Sequence, residues 1–179
     1  MFTSATKKSA RALAATLLMT LPVAASPASQ DKGTSAAAAE ARQPPIAVSD
    51  HEVDGVEVAL LSVKRISDGT LTVKWEYRNK ANEAKRLGES FDGMGWSEPY
   101  SLVYHAYLVD ARNRTKYPVL KDAKGNLLAG KHGPGKIVVL GPGRTVAAWA
   151  KFAAPPADVR KISVFIPGAQ PFEDVPIAE

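Results

Sequence analysis

One stretch limits the possible folds of this chain more than any other. Leu71-Thr72-Val73-Lys74-Trp75-Glu76-Tyr77-Arg78 alternates large apolar and polar side chains without a break. Successive side chains of extended backbone point to opposite faces, so one face collects Leu71, Val73, Trp75 and Tyr77 and the other Thr72, Lys74, Glu76 and Arg78. One dry face and one wet face describe a half-buried antiparallel strand. Trp75 is the expected centre of the core. Burying roughly 200 Å² at about 25 cal/mol/Å² gives it on the order of 5 kcal/mol of gross burial.

The same period extends on both sides. Val56, Val58 and Leu60 alternate with Glu57, Ala59 and Leu61, and Ser67-Asp68-Gly69-Thr70 reads as a two-residue hairpin turn with positive φ at both central positions. Residues 102–109 are expected to form a strand with His105 in phase with Val103, Tyr107 and Val109. Further strands are expected at 114–120, 137–140, 144–152 and 161–166, with a weaker edge piece at 175–177. Turn signals separate them: Asp122 to Asn126, Gly141-Pro142-Gly143, Pro155-Pro156 and Pro167-Gly168. Many short strands, frequent turns and no long helical pattern predict an all-β, immunoglobulin-like antiparallel β-sandwich of seven to eight strands over residues 47–179. There is no cysteine, so the core must hold the domain without a disulfide, and thiolate metal sites and cysteine nucleophiles are excluded.

The first 25 residues read as a secretory signal peptide. Lys7, Lys8 and Arg11 precede a short apolar run from Ala12 to Leu21, and Val23-Ala24-Ala25 offers small residues for cleavage after Ala25. The run is shorter than the ~20 residues that a spanning helix needs. No later segment is apolar enough to cross a bilayer, and the expected location is the periplasm or the exterior. Residues 26–46, rich in Ala, Ser, Pro and Gln, are expected to be a disordered tether. Three of the 23 basic residues and none of the 18 acidic ones fall in the leader, so removing it lowers the net charge from +5 to +2.

A resemblance emerges in the C-terminal half. Pro142-Gly143-Arg144, Trp149 to Pro156, Val164-Phe165-Ile166-Pro167-Gly168 and Pro171 to Ile177 together resemble an exported bacterial domain of unknown function. Tyr107-Leu108-Val109-Asp110, Lys116-Tyr117 and Asp122-Ala123-Lys124-Gly125 also fit it. The resemblance covers about residues 56–177. It implies an immunoglobulin-like fold without catalytic residues, of a kind often found ahead of a peptidoglycan-binding domain of the outer-membrane-protein-A type. No such second domain is present in these 179 residues, so direct wall anchoring is not carried over.

Motifs for chemistry are absent. There is no phosphate-binding loop and no dinucleotide fingerprint. Gly88-Glu89-Ser90-Phe91-Asp92-Gly93 misses a nucleophile elbow by one residue, and Glu89 with Asp92 reads more simply as a solvated pair. His51, His105 and His132 share no metal-ligand spacing. A copper-handling role using them with Met94 is the alternative reading, because soft ligands suit Cu(I). The expectation is a non-catalytic protein without a cofactor.

Two features stand out as candidate contact surfaces. Residues 81–101 form a long connection carrying Phe91, Met94, Trp96 and Tyr100 among glycines. Such aromatics either present a contact patch or fold back to cap the sandwich. Residues 112–136 hold Arg112, Arg114, Lys116, Lys121, Lys124, Lys131 and Lys136 against Asp122 alone, a net of +6 that leaves −4 for the rest of the mature chain. That segment suits an envelope protein or an anionic envelope polymer, or serves only to keep edge strands from pairing. Nucleic acid is not an expected partner, because no base-stacking motif accompanies the charge.

Overall fold

Alternating burial along two long strands builds the centre of the molecule, β2 (Val56–Ile66) and β3 (Thr70–Asn79). The computed structural model describes residues 44–87, 100–131 and 138–179. The expected signal peptide and residues 26–43 of the expected tether lie outside the described residues. Leu71, Val73, Trp75 and Tyr77 of β3 are fully buried, as the alternation requires. Small residues on the next strand make room for them: Trp75 pairs with Ala148 and Val73 with Ala150 on β8 (Thr145–Ala153).

The described residues form a β-sandwich of ten strands with no helix. One sheet has the order β1-β2-β3-β8, with β1 spanning Ala47–Asp50. The other has the order β10-β9-β5-β6 and is built from β5 (Tyr107–Asp110), β6 (Thr115–Pro118), β9 (Lys161–Phe165) and β10 (Phe172–Pro176). A small third sheet pairs β4 (Lys85–Leu87) with β7 (Val138–Leu140). All these pairings are antiparallel. The inner faces share one core, in which Trp75, Tyr77 and Phe152 of the first sheet meet Leu108, Ile162, Val164 and Phe172 of the second. The strand order adds no support for the finer, immunoglobulin-like expectation. Here β2 and β3 pair within one sheet, whereas the immunoglobulin arrangement places its second and third strands in opposite sheets.

Two expectations are corrected. The β2–β3 turn has positive φ at Gly69 (φ 77) and not at Asp68. Ile66 pairs with Thr70, so the loop has three residues, and Asp68 Oδ1 accepts from the Thr70 N–H at 3.0 Å. A left-handed glycine closing a three-residue loop twists the strands correctly without asking a non-glycine residue to adopt that conformation. The expected strand at 102–109 begins only at Tyr107. Before it, Val103 N–H and Tyr104 N–H both donate to Tyr100 O, at 2.8 and 2.9 Å, closing a turn. His105 is exposed on this turn, not aligned with a strand face. Leu102 and Val103 are adjacent apolar residues without alternation, and such a pair suits a buried turn as well as a strand.

The two long seams of the sandwich are closed differently. Along one, β1 pairs with β2 over Glu57 to Leu60. Beyond the bulge between Leu60 and Ser62, the C-terminal residues take over that edge. Ala178 N–H donates to Val63 O at 2.9 Å, and Arg65 N–H donates to Ala178 O at 2.8 Å. Along the opposite seam the chain leaves β6 and crosses to the first sheet, where Leu120 N–H donates to Lys151 O at 2.9 Å. A hairpin then returns, and Gly130 N–H donates to Trp149 O at 3.0 Å.

Candidate binding surface

The basic segment occupies this second seam. It comprises a turn, an edge strand, a crossing and a hairpin tip, and each turn is shaped by a carboxylate of its own. At the β5–β6 turn, the carboxylate of Asp110 accepts from Asn113 twice, from its N–H at 3.1 Å and from its Nδ2 at 2.7 Å. Burial pulls the Asp110 carboxyl upward, but the Asn113 donors together with the N–H and charge of Arg112 outweigh it and hold the group below the usual range. This anchoring turns the chain sharply enough to place Arg114 at φ 52. At the hairpin tip, Asp122 Oδ1 accepts from Lys124 N–H at 2.8 Å and Asn126 N–H at 2.9 Å, while Oδ2 accepts from Asn126 Nδ2 at 3.0 Å. The Asn126 side chain is the main reason that the Asp122 carboxyl is held below its ordinary value. The single acid of the segment therefore shapes the tip from within. Gly125 (φ 83) completes that turn with a conformation that glycine adopts freely.

The cations that hang on this frame point outward. Arg112, Arg114, Lys116, Lys121, Lys124 and Lys131 are all exposed. Arg112 pairs with Asp158 at 3.2 Å, a contact between two largely exposed side chains that contributes little. Among the described residues, no carboxylate lies within ion-pair distance of Arg114, Lys121 or Lys124. Lys116 is held differently: its Nζ sits 3.7 Å above the centre of the Tyr107 ring. Tyr107 in turn stacks on Phe165, with centroids 4.4 Å apart and planes 10° from parallel. The result is a column of cation, ring and ring across three strands of the outer face. The strand pattern placed Tyr107 on one face, but its Phe165 neighbour follows from the β5–β9 register, which no local sequence feature announces.

Of the aromatics expected at 81–101, Tyr100 is buried, 6% exposed, and Lys131 Nζ lies 5.8 Å from its ring centre. Folding back to cap the sandwich is therefore the arrangement seen at Tyr100. Phe91, Met94 and Trp96 lie outside the described residues, as do Glu89, Asp92, His132 and Lys136. The segment is also not one continuous connection, because β4 occupies Lys85–Leu87. Asn79 fixes its start: Nδ2 donates to Glu83 O (2.7 Å) and Leu140 O (2.8 Å) and also lies 3.0 Å from Gly141 O, while Oδ1 accepts from Ala81 N–H at 2.9 Å.

Elsewhere, a shallow cavity of about 330 Å³ lies at the end of the second sheet. Its Arg112, Arg160 and Lys161 are matched by Asp110, Asp158 and Asp174, so it has no preference for either sign of charge. Among the described residues no three His, Asp or Glu side chains are placed to hold a metal ion. His51, which sequence reasoning treated as a possible ligand, is a buried structural residue. Its Nδ1 accepts from Val53 N–H at 2.9 Å, and its ring meets Tyr77 edge-on at 5.6 Å. Tyr77 O–H lies between the carbonyls of Leu102 (3.0 Å) and Pro167 (3.2 Å). No helix among the described residues is long and apolar enough to cross a membrane. No protein-family model, curated protein or solved structure matches this chain.

Proposed function

We propose that this protein is an exported, non-catalytic binding module of the bacterial cell envelope, and that its basic seam contacts an anionic envelope partner. The observation that carries this reading is the arrangement of charge on residues 112–131. Two turns are tied internally by Asp110 and Asp122, and the neighbouring cations are left to the solvent. Ordinary surface lysines are interspersed with acids, which cancels their field. Here Asp122 is the single acid among six described cations, and its hydrogen bonds, with those of Asp110, fix the backbone that carries them. The leader-like N-terminus and the resemblance to exported envelope domains support the location. The test is binding of the mature chain to isolated cell-wall sacculi and to vesicles containing anionic lipid. We expect binding that weakens as salt rises, and a large loss on combined neutralisation of Arg112, Arg114 and Lys116. Unchanged binding by that triple variant would reject the basic seam as the contact.

A further inference from the structure

We infer that the anionic partner is a linear polyanion lying lengthwise along the β6 seam and touching both turns at once. This inference rests on the proposed function and narrows it. A compact anion needs cations converging on one point, whereas these cations are strung out. Arg114 stands at the end of the β5–β6 turn (φ 52), and Lys116 follows on the extended edge strand β6. From Thr115 to Lys121 the chain covers about 20 Å of path at ~3.3 Å per residue. Lys121 and Lys124 then lie at the far tip, around Asp122. No single phosphate or carboxylate reaches from one turn to the other, but a chain of them does.

Three further features favour a strand-like ligand. The run lies on an edge, since β6 is the last strand of its sheet. The cavity that includes Arg112 carries balanced charge and so does not single out a compact anion. The cations are also pre-placed, by the Asn113 and Asn126 contacts at the turns and by the Tyr107 ring under Lys116 at 3.7 Å. Pre-placement lowers the ordering cost of binding, and two linked contacts on one ligand reinforce each other through effective concentration.

The experiment compares orthophosphate, tripolyphosphate and linear polyphosphate of about 15 and about 60 units, matched in total phosphate, for binding to the mature chain. If the ligand must span both turns, affinity rises at least tenfold from tripolyphosphate to the 15-unit chain, and orthophosphate does not compete. Log affinity falls with log salt with a slope of roughly −3, as four engaged cations on a flexible chain require. R114Q/K116Q and K121Q/K124Q each reduce the long chains to the affinity of the short one. K64Q/K74Q, which removes two exposed lysines from the outer face of the first sheet, leaves the length dependence intact. Equal binding of orthophosphate and long chains overturns the lengthwise inference while leaving an anionic partner in place. So does binding restricted to phosphatidylglycerol vesicles. An equal loss in K64Q/K74Q overturns the seam itself. No binding to any of these probes or to sacculi at low salt overturns the proposed function with it.

Discussion

Gly168 is the position where one methyl group should do the most damage, and the structure says how. Gly168 has φ 76, and a Cβ built there would lie 2.1 Å from His51 Nε2 and 2.6 Å from both neighbouring ring carbons. Gly168→Ala therefore costs two things. The left-handed backbone is unfavourable for alanine by about 1–2 kcal/mol. The imidazole must also leave, which breaks its bond from Val53 N–H and its edge contact with Tyr77. A net hydrogen bond of about 1 kcal/mol and an aromatic pair of about 0.5–1.5 kcal/mol bring the total to about 3–4 kcal/mol. The assay is urea unfolding of Gly168→Ala, His51→Ala and the double variant, read as midpoint shifts at constant slope. With the ring already gone, Gly168→Ala should cost only its backbone share, so the double variant should be about 2 kcal/mol more stable than the sum of the singles predicts. Additive single effects would refute the argument that the glycine exists to make room for the imidazole.

Other expectations follow from the same contacts. Burial holds the His51 pKa below its ordinary value, although the Glu52 charge pulls the other way. The unfolded chain then binds the proton more tightly, so the contribution of His51 is full above pH ~6.5 and is lost as pH falls through the folded value. His51→Gln should flatten that part of a stability-against-pH curve between pH 5 and 8, and an unchanged curve would argue against it. Tyr77→Phe leaves the carbonyls of Leu102 and Pro167 without their buried donor and should cost about 1–2 kcal/mol in the same unfolding assay. Asn79→Ala removes the donor to Glu83 O and Leu140 O and the acceptor for Ala81 N–H, which should cost about 2–3 kcal/mol and raise amide exchange at Ala81 and Lys85.

How much was legible depended on how far along the chain the information lay. The β3 pattern was readable because alternation is local, and its four apolar residues are all fully buried. The sandwich followed from repeating that pattern between turn residues. At Leu102 and Val103 the apolar residues run without alternation, and only the hydrogen bonds back to Tyr100 distinguish a turn from a strand. The Asp68-Gly69 pair marked a hairpin correctly, but the loop length depends on Ile66 finding Thr70, a matter of register. In the basic segment the charge was plain from composition. That Asp110 and Asp122 spend their oxygens on the backbone and side chains of their own turns required coordinates, as did the Tyr107–Phe165 stack between strands 58 residues apart. His51 shows the converse: a histidine among acids suggests a ligand, whereas its depth beside Tyr77 and Gly168 makes it a packing element.

The way the first seam is closed also brings the two ends of the described domain to one edge of the sandwich. Ala47 lies beside Leu60 and Ala178 beside Lys64, so the entering and departing chain meet on neighbouring stretches of β2. Those two points are on the far side of the sandwich from β6. A domain held by either end, or by both, would turn its row of lysines and arginines away from the point of attachment.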